Sequence, residues 1–476
     1  MFFKRLKASG LGQNSYMLGC GEGIAVVIDP RRDVEEYLEL AQNNGLSIAY
    51  IFETHRQEDF EFGSRALADA TGARIVTGKH ELFGESHIQL ENGQELKAGT
   101  TRFVALETPG HTPESMTYAA YPKGVAEKCW GIFTGDTLFV SATGRTDLSD
   151  PEKTRENAGL LYDSIREKIA PFGDQTLIFP AHGAGSACGG NISDRDDSTL
   201  GIEKGTNVVF NISRDEFMDH KVAEKLPRPP YFSHMEKVNL QGGRPPRAGS
   251  AVRMLQPHEF KERMREGVVI DCRQPDAFAG AHIPLSYNIW LQGLPAFAGW
   301  ITDENTAIFL VVDDPRHIHE AVTSLARIGL DRVEGVLAGG IEAWRNQGLA
   351  IDRLGTTSAQ ECAERMQKGG IRVLDVRDDY EREEKRIPGS LHIYVGYLEE
   401  KIPPLPKSDE LVVHCSVGHR GGLAASILKR SGFMNVYNLL GGIKAWEALN
   451  LPLEKAGKPN NPNNIKKERR ANPLSQ

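Results

Sequence analysis

Thr54-His55-Arg56-Gln57-Glu58-Asp59-Phe60 follows an apolar run, Ile48 to Phe52, that reads as a buried strand. His55 and Asp59 stand just past the strand end, with Gln57 and Phe60 between and beside them. Three later segments repeat the arrangement. Thr108-Pro109-Gly110-His111-Thr112-Pro113-Glu114-Ser115, Phe133-Thr134-Gly135-Asp136-Thr137-Leu138-Phe139 and Pro180-Ala181-His182-Gly183 each place an imidazole or carboxylate after a strand. Donors at strand ends can converge at one edge of a β-sandwich. Between them lie further strands, Ala25 to Ile28 and Thr176 to Phe179, and helical patterns at Val34 to Asn43 and Gly63 to Ala70. This alternation predicts a layered α/β domain over about residues 1–240.

Past a Gly/Pro linker, Gln241 to Arg247, the chain repeats itself. Val268-Val269-Ile270-Asp271-Cys272-Arg273 returns as Arg372-Val373-Leu374-Asp375-Val376-Arg377. Ala338-Gly339-Gly340-Ile341-Glu342-Ala343-Trp344 returns as Leu440-Gly441-Gly442-Ile443-Lys444-Ala445-Trp446. An offset of about 100 residues is one small α/β domain, too long for a solenoid repeat. The domains expected are 250–352 and 356–454, followed by a Pro/Asn-rich tail, 455–476, expected to be disordered.

Cys415-Ser416-Val417-Gly418-His419-Arg420-Gly421-Gly422 follows the strand Leu411 to Val413 and opens a helix expected at Leu423 to Lys429. Such a loop turns backbone N–H groups toward one spot, and the helix dipole adds positive potential. Cys415 is then the nucleophile, Arg420 its charge partner, and Ser416, Val417, Gly418, His419 and Gly421 the anion loop. Cys415 to Arg420 is C-x4-R. A phosphatase-type C-x5-R loop would need Arg at 421, which is Gly, so the smaller loop favours sulfane sulfur over phosphate. In the first copy Asp314 stands at the cysteine position, and Pro315-Arg316-His317 replaces the glycine-containing loop. An aspartate cannot carry a sulfane sulfur.

Charged residues make up 25% and hydrophobic residues 40%, the balance of an ordinary globular protein. A formal net charge of −8 gives no reason to expect nucleic acid. The six cysteines show no C-x-x-C spacing, which argues against a zinc knuckle or a disulfide framework. The N-terminus has no signal-like apolar core, and no uncharged run is long enough for a membrane span. The chain is therefore expected to be cytoplasmic, with a homo-oligomer left open.

The four segments resemble the metallo-β-lactamase superfamily, whose T-H-x-H-x-D-H motif is matched at His55 and Asp59 but not at Gln57 and Phe60. The tandem copies resemble rhodanese domains, through Asp375 and Arg377, Ile387-Pro388-Gly389, the Cys415 loop and the Gly-Gly-Ile-x-Ala-Trp ending; the first copy resembles an inactive one. The stretch Gly144-Arg145-Thr146-Asp147-Leu148, with Gly185 to Gly189, resembles persulfide dioxygenases of the branch fused to rhodanese domains. This implies an N-terminal αββα metallo-β-lactamase sandwich followed by two rhodanese-like α/β domains with parallel sheets. It also implies a non-haem Fe(II), one per chain, held by position 57, His111 and Asp136. Gln57 is a poorer ligand than imidazole, and His55 is a candidate to complete the triad. Asp59, Arg145 and His182 are further site candidates, with Arg145 expected near the metal pocket. Phe60 removes a ligand of a second metal. A working iron site, a weakened or differently metallated site, and a metal-free scaffold stay open.

The activity implied is oxidation of a low-molecular-weight thiol persulfide, such as glutathione persulfide, to sulfite with O2, coupled to movement of sulfane sulfur between that persulfide, sulfite and thiosulfate through Cys415. Sulfur transfer alone is the alternative. A glyoxalase II-type thioester hydrolase is disfavoured, because it needs a dinuclear centre.

Overall fold

The computed structural model describes residues 2–124, 128–245 and 252–455. The linker is described only as far as Pro245. The tail from 456, with its basic run, lies outside the described residues. By contacts the chain divides into two units. One is Met1–Ala251 with Gln292–Asn305 and His319–Arg332; the other is Val252–Leu291, Thr306–Ile318 and Val333–Gln476.

The first unit holds two six-stranded sheets. One runs, in spatial order, Phe3–Ala8, Gln13–Gly19, Ile24–Ile28, Ser47–Phe52, Arg74–Gly78 and Ile88–Leu90. The other runs Ser198–Thr199, Leu177–Pro180, Gly131–Gly135, Met116–Pro122, Thr101–Glu107 and Glu95–Ala98. Both sheets are mixed. Alternation along each strand sends side chains to opposite faces. Val26 and Ile28 meet Phe103, Tyr118, Phe133 and Phe179 in the core between the sheets. Their neighbours Ala25 and Val27 face outward, under Tyr37 and Leu67 of the helices Glu35–Asn43 and Ser64–Thr71. On the other side Ile132 and Ile178 face outward against Leu161 of the helix Thr154–Asp163. Each such buried aliphatic side chain stabilises by ~1.5–3 kcal/mol. Strands that are apolar on both faces therefore take sheets as neighbours on one side and helices on the other. This is the αββα sandwich expected from the sequence.

In the second unit the two repeats form five-stranded, all-parallel sheets of identical order. The first runs Met254–Leu255, Val333–Leu337, Ala307–Val311, Gly267–Asp271, Tyr287–Asn288. The second runs Gly355–Thr357, Asn435–Leu439, Glu410–His414, Ile371–Asp375, Leu391–His392. The duplication extends to single contacts. Arg273 and Arg377 each bind the aspartate two residues earlier at 2.6 Å. Trp344 and Trp446 each donate the indole N–H to a carbonyl six residues on, at 2.8 and 2.9 Å. The helix after the thiol loop begins at His419, earlier than the sequence pattern placed it. Gly418, at φ 109°, turns the chain directly into the helix. No helix among the described residues is long and apolar enough to cross a membrane.

Candidate metal centre and thiol loop

The N-terminal strand-end segments meet at one buried place. One ligand atom each from His55, His111 and Asp136 lies within 4.8 Å of the other two. His55 Nε2 is 3.7 Å and His111 Nε2 is 3.4 Å from Asp136 Oδ2. None of these three atoms has a hydrogen-bond partner, and all are fully buried. Converging orphaned donors in a dry site fit a cation.

The surroundings fix each ligand's tautomer. Asp29 accepts from the Thr54 N–H and hydroxyl, both at 2.8 Å. The Thr54 oxygen then accepts from His55 Nδ1 at 2.9 Å, which leaves the lone pair on Nε2. Burial pushes the His55 imidazole down to about 3, against the pull of Asp136, so it stays neutral and able to ligate. His111 Nδ1 donates to the Arg145 carbonyl at 2.8 Å, leaving its Nε2 bare as well. Burial alone would raise the Asp136 carboxyl, but the neighbouring His182 and His55 hold it below the ordinary carboxylate range.

Position 57 and His55 were both open as the third donor beside His111 and Asp136; the imidazole that converges with them is His55. Gln57 sets its side-chain amide nitrogen 3.3 Å from His55 Nδ1 and buries its side-chain oxygen without a partner, while its backbone carbonyl accepts from Asn239 Nδ2 at 2.7 Å. Arg145 approaches the site only through its carbonyl oxygen. Its guanidinium turns away to Asp147, at 2.6 and 2.7 Å, and to the carbonyls of Ala187, Leu226 and Pro227. Arg56 and Glu58 are buried and meet different partners. The Arg56 N–H donates to Glu114, and Glu58 faces His111.

Asp59 and His182 are paired with each other. His182 Nε2 lies 2.9 Å from Asp59 Oδ2, and its Nδ1 lies 2.7 Å from Asp136 Oδ1. Burial opposes charge on His182, yet Asp136 and Asp59 raise it well above the ordinary imidazole value. The Cys188 sulfur joins Asp59 and His182 as a second buried group, and burial pushes that thiol well up. Phe60 packs edge-on to His182, with ring centroids 6.2 Å apart, where a further ligand would stand.

In the second unit Cys415 is buried at the end of the strand Glu410–His414, and the Gly418 N–H donates to its sulfur at 3.1 Å. The Gly-Gly-Ile-x-Ala-Trp segment explains itself at this loop. Ile443 N–H donates to the Cys415 carbonyl at 2.9 Å, and Lys444 N–H to the Ser416 carbonyl at 3.1 Å. With those two carbonyls held, the Gly418 N–H faces the sulfur. Arg420 binds Glu381 with two bonds, of 2.6 and 2.8 Å, and also the Ser416 hydroxyl. Its charge is therefore balanced. Burial works against the charge on Glu381, but Arg420 holds that carboxylate well down. His419 stacks on Trp290 with ring centroids 4.9 Å apart and reaches Gln274 Oε1 at 3.2 Å. In the first copy Asp314 is engaged by Arg316 through backbone and guanidinium. Sequence reasoning missed Glu381, Asn239 and Glu58. Only the Glu58 position, inside the quoted motif, carried a signal.

A structure of a metallo-β-lactamase from Staphylococcus aureus subsp. aureus COL matches 71% of this chain and 99% of its own, at 30% identity and a TM-score of 0.64. The chain belongs to the metallo-β-lactamase family. Rhodanese-like domain profiles match residues 256–347 and 358–449, so two rhodanese domains follow the metallo-β-lactamase domain. The metallo-β-lactamase domain is 29% identical over 235 residues to bovine "Persulfide dioxygenase ETHE1, mitochondrial", covering 48% of this chain and 84% of the relative. It is also 30% identical over 174 residues to a hydroxyacylglutathione hydrolase of Polaromonas, covering 35% and 61%.

Proposed function

We propose that this chain oxidises a low-molecular-weight thiol persulfide at an Fe(II) site of His55, His111 and Asp136, and transfers sulfane sulfur through Cys415. The observation that carries the first half is the set of three orphaned, buried ligand atoms facing one point. Two imidazoles and one carboxylate suit ferrous iron with open positions, and the bound metal would supply O2 activation. The chain's own residues fix the tautomers of both imidazoles, through Thr54 and the Arg145 carbonyl, and burial keeps His55 neutral. The balance is RSSH + O2 + H2O giving RSH, sulfite and two protons. At Cys415 the thiolate attacks the terminal sulfur of RSS⁻, releasing RS⁻ and forming a cysteine persulfide. Sulfite then takes that sulfur as thiosulfate and restores the thiolate. The Gly418 N–H supports the anionic sulfur in both steps.

The similarity to hydroxyacylglutathione hydrolases raises a thioester-hydrolase reading. Phe60 argues against its second metal, as does His182, whose two ring nitrogens already face Asp136 and Asp59. The test is anaerobic iron titration and O2 uptake with glutathione persulfide on the parent, His55→Ala and Gln57→His. The expected result is one iron per chain and O2 uptake in the parent, both lost in His55→Ala. A Gln57→His variant that gains iron and O2 uptake from a parent lacking both would leave sulfur transfer as the sole activity.

A further inference from the structure

We propose that Glu381 sets the charge of the sulfur donor that the Cys415 loop accepts, fitting the loop to a monoanion and turning it against a dianion. The inference rests on sulfur transfer at Cys415 and is independent of the metal centre. Among Cys415 to Gly422, Arg420 carries the one fixed positive charge. Its Nη1 donates to Glu381 Oε2 at 2.6 Å and its Nη2 to Glu381 Oε1 at 2.8 Å. The pair is partly shielded from water, with the two side chains 18% and 27% exposed. A guanidinium held by two bonds to one carboxylate presents little net charge to a third group.

The loop's second anchor is committed as well. The Ser416 hydroxyl gives its one proton to Glu381 Oε1, and its oxygen accepts from Arg420 Nη2 at 2.8 Å. It has no hydrogen left for a substrate oxygen. Burial lowers the His419 imidazole, so that side chain adds no charge at neutral pH. What remains is backbone. The Gly418 N–H stands 3.1 Å from the sulfur, and the N-terminus of the helix His419–Arg430 is equivalent to ~0.5 of a positive charge.

Glu381 is itself fixed in place. It lies in the first turn of the helix Asp379–Glu384, and its N–H donates to the capping Asp378 carboxylate at 2.8 Å. It acts through Arg420 and Ser416, as a positioning residue, and the consequence falls on the donor. The Cys415 thiolate attacks the donor's outer sulfur. The donor's sulfur–sulfur bond breaks, its electron pair leaves with the remainder, and the outer sulfur stays on Cys415 as a persulfide. An organic persulfide anion brings one negative charge to the thiolate and leaves as RS⁻. Thiosulfate brings two and leaves as sulfite, and Glu381 has already claimed the cation that would meet the extra charge. Val417, within the loop, and Leu440, beside the glycines that hold it, are 42% and 40% exposed. Such apolar surface suits a carbon-bearing donor. The same weak hold on dianions lets thiosulfate leave once sulfite has taken the sulfur.

The test uses the full chain, cyanide as acceptor, and two donors that differ by one charge: methanethiosulfonate, a monoanion, and thiosulfate, a dianion. Both yield thiocyanate, with methanesulfinate or sulfite leaving. The readout is the ratio of kcat/KM for thiosulfate to kcat/KM for methanethiosulfonate. General damage to the loop lowers both values and leaves their ratio alone. Thermal melts confirm that each variant is folded. Glu381→Gln keeps the side chain's size and frees the charge of Arg420, and should raise the ratio at least ~10-fold. Glu381→Asp retains the negative charge and should keep the ratio within roughly threefold of the parent's. In the parent itself, added KCl should raise kcat/KM for thiosulfate by screening its repulsion from the thiolate. A ratio unmoved in folded Glu381→Gln, or a parent whose kcat/KM for thiosulfate falls with salt, overturns the proposal and leaves sulfur transfer standing. A folded parent that transfers sulfur from neither donor overturns both together.

Discussion

Replacing Gly442 by Ala tests whether the Gly-Gly-Ile-x-Ala-Trp segment shapes the thiol loop. Gly442 sits at φ 54°, and an added Cβ would lie 2.3 Å from the Cys415 carbonyl oxygen and 2.6 Å from the Ser416 carbonyl carbon. Real Cβ contacts essentially never fall below 3.0 Å, so the loop must retreat by about 0.7 Å. Two energies follow. Holding a non-glycine residue in the left-handed region costs about 1–2 kcal/mol of stability. Displacing the Cys415 carbonyl weakens its bond from Ile443, now 2.9 Å, and with it the orientation of the loop N–H groups. Misplacement of a reacting group by ~1 Å costs roughly 100-fold in rate. The control is Gly340→Ala, at the matching position of the first copy. It has φ 58° but a contact of 3.0 Å with the Val312 carbonyl, and no thiol beside it. Both variants should lose comparable stability in urea melts. Only Gly442→Ala should lose about two orders of magnitude in thiosulfate:cyanide sulfur transfer, with Cys415→Ala as the zero. A Gly442→Ala protein that is destabilised yet transfers sulfur within twofold of the parent would refute the claim that this segment positions the nucleophile.

Two further outcomes follow. Asn239→Ala removes one buried amide that serves the Gln57 and Phe60 carbonyls and the Phe62 N–H at 2.7, 2.8 and 2.9 Å; stability should fall by ~2–4 kcal/mol, and metal titration should show weakened binding, unchanged binding meaning that the loop is held without it. Burial pushes the His414 imidazole down to about 4, against the pull of Asp375, so the folded state binds fewer protons than the unfolded one between about pH 6.5 and 4. His414 therefore adds full stability above that window, and roughly 3 kcal/mol is lost as pH falls through it; urea melts of His414→Gln should show that much less acid sensitivity, and an unaltered pH slope would exclude the assignment.

The fold was legible because its signals are local. Apolar runs of strand length ending in His, Asp or Pro mark the sandwich, and matched motifs at a fixed offset mark the duplication. The site was legible in part. His111 and Asp136 were placed in the site from their motifs, and the structure brings them together. Which residue of Thr54 to Phe60 joins them depends on how the loop is pinned by Asp29, Asn239 and Tyr231. Those partners lie 25 to 182 residues away in sequence, and no spacing within the loop reports on them. Arg145 shows the same limit, because its backbone serves the centre while its side chain closes a different contact. Arg420 was readable as a charge at the thiol loop. Its neutralisation by Glu381 was not, since the partner comes from the helix Asp379–Glu384, 39 residues upstream.

The Asp314–Arg316 knot has a bearing on history. Restoring a cysteine at 314 would not restore a sulfur carrier. Pro315 has no N–H to offer, and His317 stands where the second copy needs Gly418 in a backbone conformation that side chains rarely adopt. At least three positions, 314, 315 and 317, would have to change together to rebuild the loop of the second copy. If Cys415 carries sulfane sulfur as proposed, the first copy offers it no spare that a single substitution could restore.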